Sequence, residues 1–196
     1  RQMRTGAVDA VHVTITYHET FRETVLVLER WNRWFEQFPE LIFQGFSADD
    51  VRLARQTGRT VIFFGSQNPS CIEDDIGLVE VLHRLGLRFM QLSYNNQSLL
   101  ATGCYEAEDG GLTRMGRAVV AEMNRVGLVV DMSHSGERST FEAIEHSTRP
   151  ITISHANPAS WHPALRNKSD ALLRALGASG GMLGLSAYPH HLKGGS

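Results

Sequence analysis

The sequence predicts an α/β fold of the (β/α)8 TIM-barrel type, and three observations carry that expectation. Six short apolar runs alternate with longer amphipathic stretches, the pattern of β/α units around a mostly parallel sheet. Several runs, Val61-Ile62-Phe63-Phe64 and Leu128-Val129-Val130 among them, are apolar at every position, as strands covered on both faces require. Polar side chains gather just after the runs: Gln67 and Asn68; Tyr94, Asn95 and Asn96; His134; His155 and Asn157; His190 and His191. In a (β/α)8 barrel the C-terminal ends of the strands converge on one face and build one site there. A full barrel takes about 250 residues. The 196 present are therefore read as a single incomplete barrel domain, 1–196, with about six strands.

Taken in order, the first strand is expected over 10–16, where Val11, Val13, Thr14, Ile15 and Thr16 are β-branched. A helix over 19–38 carries Phe21, Val25, Leu28, Trp31, Trp34 and Phe35 on one side, and Pro39 ends it. Trp31, Trp34 and Phe35 read as helix core. A second helix, 47–56, opens on Ser47 as N-cap with Asp49 and Asp50 in its first turn, and Gly58 closes it. The strand at 60–64 leads to Ser70-Cys71-Ile72-Glu73, which reads as a capping box opening a helix that ends at Gly86. Glu73, Asp74 and Asp75 then form its acidic first turn. The third strand spans 88–94 and a polar loop 95–111, before a helix at 113–126 stopped by Gly127. A strand at 128–133, a helix at 137–146 and a strand at 151–154 follow. A loop through Trp161 and Arg166, a helix at 169–176 and a strand at 182–185 complete the pattern.

Composition narrows the function. Hydrophobic residues at 42% and charged residues at 20% exclude a disordered chain. Nineteen basic against 21 acidic residues, net −2, argue against a strongly basic nucleic-acid binder. No apolar run approaches the roughly 20 residues of a membrane span. Cys71 and Cys104 are too few for a disulfide scaffold and lack the spacing of a thiolate zinc site. Neither G-x-G-x-x-G nor a Walker A sequence occurs. The chain opens on Arg1-Gln2-Met3-Arg4-Thr5, with neither an initiator Met nor a signal-peptide core; a cytoplasmic location is expected.

The residues that promise chemistry follow the strands. His134 and His155 end consecutive strands in the parallel contexts Asp131-Met132-Ser133-His134 and Thr152-Ile153-Ser154-His155. Counting by two groups His134 with Met132 and Val130, and His155 with Ile153 and Ile151. If those faces line the barrel, both imidazoles reach its mouth, where neutral imidazoles hold zinc and related metals. The alternative is that each caps its strand with a hydrogen bond. Gln67 could offer a neutral amide oxygen to the same metal, or simply hydrogen-bond the Asn68-Pro69 turn. Arg166 could clamp a carboxylate in a bidentate pair, or lie on the surface. Asp131, inside a strand, reads as structural and paired. Adjacent His190 and His191 point apart, so at most one faces the site.

At these residues the chain, from Thr60 to about Lys193, resembles the membrane dipeptidase (renal dipeptidase, peptidase M19) family, particularly its bacterial branch. The resemblance is carried by Ile72-Glu73-Asp74-Asp75-Ile76-Gly77-Leu78, Leu85-Gly86-Leu87-Arg88-Phe89, Gly111-Leu112-Thr113, Glu122-Met123-Asn124-Arg125, Val130-Asp131-Met132-Ser133-His134, Ser154-His155 and Arg166-Asn167. It implies a metallo-dependent-hydrolase-like barrel with a two-metal, usually zinc, site that cleaves dipeptides. It implies metal ligation by His134 and His155 and a substrate-carboxylate role for Arg166. A glutamate bridging both metals aligns with Gln67, and a histidine contacting the reacting carbonyl aligns with Tyr94. The family's His-x-Asp pair and late-strand aspartate find no counterpart and are expected outside 1–196. Two cations about 3.5–4 Å apart need an anionic bridge, which Gln67 does not supply. The expectation is therefore one firmly bound zinc or other divalent ion, held by His134 and His155 with Gln67 beside them. Tyr94 would donate to the oxyanion. The expected partner is a dipeptide-like small molecule, with a homo-oligomer compatible and no nucleic acid or membrane segment. The alternatives are a family-fold barrel that has lost peptidase chemistry and binds a small molecule, or an amidohydrolase acting on a non-peptide C–N bond.

Overall fold

The computed structural model describes residues 2–192. After a short helix α1 (Gln2–Thr5), strand β1 (Ala10–Thr16) leads into α2 (Phe21–Gln37), β2 (Ile42–Gln44), α3 (Ala48–Thr57) and β3 (Thr60–Ser66). A 3₁₀ turn (Pro69–Ile72), α4 (Gly77–Arg84), β4 (Leu87–Gln91), α5 (Arg114–Val126) and β5 (Val129–Asp131) follow. The chain continues through α6 (Glu137–His146), β6 (Thr152–Ala156), α7 (Asp170–Ala178), β7 (Met182–Leu185) and a second 3₁₀ turn (Pro189–His191). All strand pairings are parallel, in the order β1-β3-β4-β5-β6-β7. The six predicted strands are thus neighbours in chain order with helices between them, the arrangement of a partial (β/α)8 barrel.

A seventh strand went unread. β2 pairs with Thr60–Ile62 at the start of β3, while β4 pairs with Phe64–Ser66 at its end. β1 takes the other edge of β3 along its length, so β2 and β4 share one edge. Three residues are too few to display alternation, and only the pairing defines this strand.

The capping box at Ser70 does not form. Glu73 Oε1 instead accepts the Phe21 N–H at the start of α2, 3.2 Å away. Glu73 itself sits at φ 52, a left-handed backbone that ends the 3₁₀ turn and postpones α4 to Gly77. Asp75 Oδ1 takes the Gly77 N–H at 2.8 Å, so the acidic run serves the turn rather than a first helical turn. On α2, Leu28 is buried, and Trp31 and Phe35 stack on Phe64 with centroids 5.7 and 5.9 Å away. Val25 and Trp34, expected on the same stripe, flank it and are 36% and 42% exposed. Thr24 takes the core position, its hydroxyl bonded to Thr20 O and to Thr16 Oγ1, each at 2.9 Å.

These contacts orient the sheet. Phe64 faces the helices, so Gly65 and Gln67 face the concave side. In register, Phe89 lies beside Gly65, Val129 beside Phe89, and Asp131 beside Gln91, which makes Phe89, Gln91 and Asp131 concave. Val130, Met132, Ile151 and Ile153 belong to the core that includes Val79, Val119 and Met123 of the helices. The face expected to carry the histidines into the barrel is therefore the helix-facing one. The histidines reach the mouth because the strands break phase at their ends. β5 stops at Asp131, and the β6–β7 ladder shifts between Ile153 and Ala156.

Candidate metal centre and substrate pocket

The loops after the strands enclose a cavity of about 370 Å³ lined by Gln67, Tyr94, Asn95, Tyr105, His134, His155, Arg166, Ser186, Tyr188 and His191. All five sequence-predicted site residues meet there, and of the terminal pair His191 faces it while His190 does not.

His134 and His155 approach through their Nε2 atoms, 2.9 Å apart. The network behind them decides which nitrogen carries each proton. His134 Nδ1 lies 2.7 Å from Asn95 Oδ1, an amide oxygen that only accepts, so Nδ1 is protonated. Asp131 is fully buried; its Oδ1 accepts from the Ser133 hydroxyl and from Ser133 N, and its Oδ2 accepts from the Ser154 hydroxyl. With its proton committed to Asp131, Ser154 Oγ accepts from His155 Nδ1 at 2.8 Å. Both imidazoles are thereby Nδ1–H tautomers, and two Nε2 lone pairs face each other. Asp131 is structural, as read from its strand position, and it also sets the second tautomer.

Two facing lone pairs call for a cation between them. A proton is a poor candidate. Burial, then Arg166 and His155, pushes His134 down to about 2. Burial and Arg166 also hold His155 below the ordinary imidazole range, against the pull of Asp131. The donors fit a metal that takes neutral imidazole, with each ring oriented from behind. Gln67 lines the same cavity and offers an amide oxygen. Its backbone N–H extends the β1–β3 pairing to Thr16 O at 3.0 Å. The Asn68 turn assigned to it is held instead by Ser66 Oγ, which donates to Asn68 O. Among the described residues no group of three or more His, Cys, Asp and Glu converges on one point.

Arg166 is not a surface residue: it is 2% exposed. Its Nη1 donates to Ser133 O, and its Nη2 to His155 O at 3.4 Å. The guanidinium thus ties together the two strand ends that carry the histidines. No carboxylate pairs with it among the described residues, which leaves donors for an anion. Asn167 anchors its loop, accepting from Asn157 N at 3.0 Å and donating to His162 O and His191 O at 2.8 and 3.0 Å. Tyr94 stacks on His134 with centroids 4.3 Å apart, beyond the end of a strand that stops at Gln91 rather than at 94. Burial pushes its phenol above the usual range, keeping the O–H a donor.

Asn95, one of the polar residues read after its strand, orients His134. Sequence reasoning missed three residues: Lys168 is a second buried cation, and Tyr105 and Tyr188 line the cavity. A second cavity of about 610 Å³ lies beyond Cys104, Ser135 and Lys168. Several of its charges are already paired: Glu142 binds Arg117 and Arg138 at 2.6 and 2.8 Å, and Asp109 accepts from Ser139.

Comparison with known proteins shows the family. Residues 2–196 match the family described as Membrane dipeptidase (Peptidase family M19). The chain belongs to peptidase family M19. It is 28% identical over 183 residues to the dipeptidase tcpJ of Claviceps purpurea, covering 92% of this chain and 42% of that protein. A crystal structure of an amidohydrolase from Pseudomonas aeruginosa shares 40% identity at a TM-score of 0.91, covering 93% of this chain and 56% of that one. A metallo peptidase from Rhodobacter sphaeroides, liganded with a phosphinate mimic of the dipeptide L-Ala-D-Ala, has the same fold at 24% identity and a TM-score of 0.76, covering 89% and 51%. This M19 chain spans about half the length of the relatives it matches.

Proposed function

We propose that this M19 protein is a metal-dependent hydrolase that cleaves dipeptides or similar small amides with a metal-activated water. The observation that carries the reading is the pair of Nε2 atoms 2.9 Å apart, each ring held from behind through its Nδ1, beside a buried guanidinium with no carboxylate partner among the described residues. A divalent cation held by His134 and His155, zinc in our reading, would supply Lewis-acid polarisation and a water of lowered pKa. The chain's own residues do the rest. Arg166 fixes a substrate carboxylate and so places the amide next to the histidines. Tyr94 donates its O–H to the carbonyl oxygen as negative charge develops there. Asn95 and Ser154 keep both Nε2 lone pairs directed at the ion. Gln67 brings an oxygen without charge, which favours one firmly held ion over two. The dipeptidase name of the relative and the dipeptide mimic bound by the solved neighbour support the same substrate class.

Metal content and dipeptide hydrolysis of the full-length protein, with zinc, with manganese and after chelation, test this. One metal per chain is expected, with turnover that chelation removes and that His155→Ala lowers by more than about 100-fold. Gln67→Glu should raise activity by supplying the missing charge. Two stoichiometric metals in the unmodified protein overturn the single-ion reading. Binding of dipeptides without turnover overturns the hydrolase.

A further inference from the structure

Three of the chain's four tyrosines share one cavity, and the fourth packs against one of them. Tyr94, Tyr105 and Tyr188 line it, and Tyr17 packs edge-on against Tyr94 with centroids 5.8 Å apart. Tyr105 and Tyr188 are 52% and 57% exposed, and Tyr17, against Tyr94, is 43% exposed, so two of the lining rings and the ring beside them stand half in water. Scattered exposed aromatics need no explanation, but a ring of them around a concave site marks a surface awaiting an apolar ligand.

The backbone beneath the two exposed lining rings is held in place. Gly103 lies flat against the Asn95 backbone, where a Cβ would come within 2.0 Å of Asn95 O. Cys104 N donates to His134 O and Tyr105 N to Asn95 O, each at 2.9 Å. Tyr105 therefore stands on backbone tied to the histidine site. Tyr188 N donates to Ser186 Oγ at 3.2 Å, and its ring leans on His191 with centroids 5.0 Å apart. Rings that stand on fixed backbone leave less to be ordered when a ligand arrives.

We propose that this collar selects an aromatic side chain on the residue whose carboxylate Arg166 holds, an inference that rests on the substrate orientation given above. The side chain of a C-terminal residue branches one carbon from the carboxylate, and Tyr94, Tyr105 and Tyr188 line the same cavity as Arg166. A flat ring placed there meets tyrosine edges and faces, the geometry aromatic pairs favour. A tyrosine collar also attracts cations, but this one surrounds a buried guanidinium, and no Asp or Glu lines the described cavity. A lysine side chain is repelled where a phenylalanine is drawn in.

Non-hydrolysable reduced-amide analogues of Gly-Phe, Gly-Ala and Gly-Lys, titrated calorimetrically into the metal-loaded full-length protein, read selection without turnover. The Phe analogue should bind about tenfold more tightly than the Ala analogue, and the Lys analogue no better than Ala. Tyr105→Ala should cut the Phe/Ala ratio to below about threefold, while Tyr105→Phe keeps it. Equal binding of the Phe and Ala analogues, or a ratio unmoved by Tyr105→Ala, overturns the collar. Retained Phe selection with no hydrolysis of the true dipeptides leaves the collar standing and defeats the proposed reaction instead.

Discussion

Lys168 spends a buried ammonium on one backbone acceptor, Ser135 O at 2.6 Å. Burial, then the nearby Arg166, lowers it from 10.5 to about 8. The unfolded chain therefore holds more protons than the folded one between about pH 8 and 10.5. Stability rises with pH through that window; the penalty is complete below it and gone above it. The expected gain is ~3 kcal/mol, taken from the size of the shift. Urea unfolding of the protein and of Lys168→Met across this range should show the rise only in the former. A parallel pH dependence in both would refute the assignment. Arg166, two residues earlier, has the guanidinium's high intrinsic affinity for protons and stays charged despite burial, which suits it, rather than Lys168, to the anchoring role proposed above.

Among the elements, caps matter more than propensity. α5 begins at Thr113, whose Oγ1 accepts from Gly116 N at 2.9 Å and whose hydroxyl proton goes to Leu99 O at 2.6 Å. One side chain thus starts the helix and ties it to the loop that carries Tyr105. Thr113→Ala should cost about 1 kcal/mol in chemical unfolding, whereas Thr113→Ser, which keeps both bonds, should cost less. An equal loss in both would mean that the methyl, not the hydroxyl, matters. The failure of the Ser70 capping box shows the same competition from the other side. Glu73 had two N–H groups to choose between, and the one it bonds lies 52 residues away in sequence. No local pattern distinguishes them.

At the scale of the whole molecule, the concave face is built around Gly65. His12 crosses over it to meet Phe89 with ring centroids 4.7 Å apart, and a Cβ on Gly65 would lie 1.5 Å from His12 Nε2. Gly65→Ala must expel the imidazole or part β1 from β3, at a cost of about 1–3 kcal/mol. Combining it with His12→Ala should recover most of that loss in thermal unfolding. Additive losses in the double variant would show that the strain lies elsewhere.

The alternation of apolar runs and amphipathic stretches was enough to read six barrel strands in their order, because parallel β/α units pair in chain sequence and each is a local pattern. The same pattern placed Gln67, Tyr94, His134, His155 and Arg166 on one face, since residues that follow barrel strands share an end. Of the collar tyrosines, only Tyr94 was legible in the sequence. What only the tertiary structure decided depends on partners distant in sequence. β2 exists because β3 has an edge to share, and the histidines reach the mouth because their strands lose phase where the ladder shifts. The Nδ1–H tautomers come from Asn95 and from the Asp131–Ser154 pair. Lys168 is a buried cation because its loop folds back onto Asn157, with Lys168 N bonded to Asn157 O at 2.9 Å. Residue types and spacings determined which groups arrive at the site; long-range hydrogen bonds and packing decided which way they point and which protons they keep.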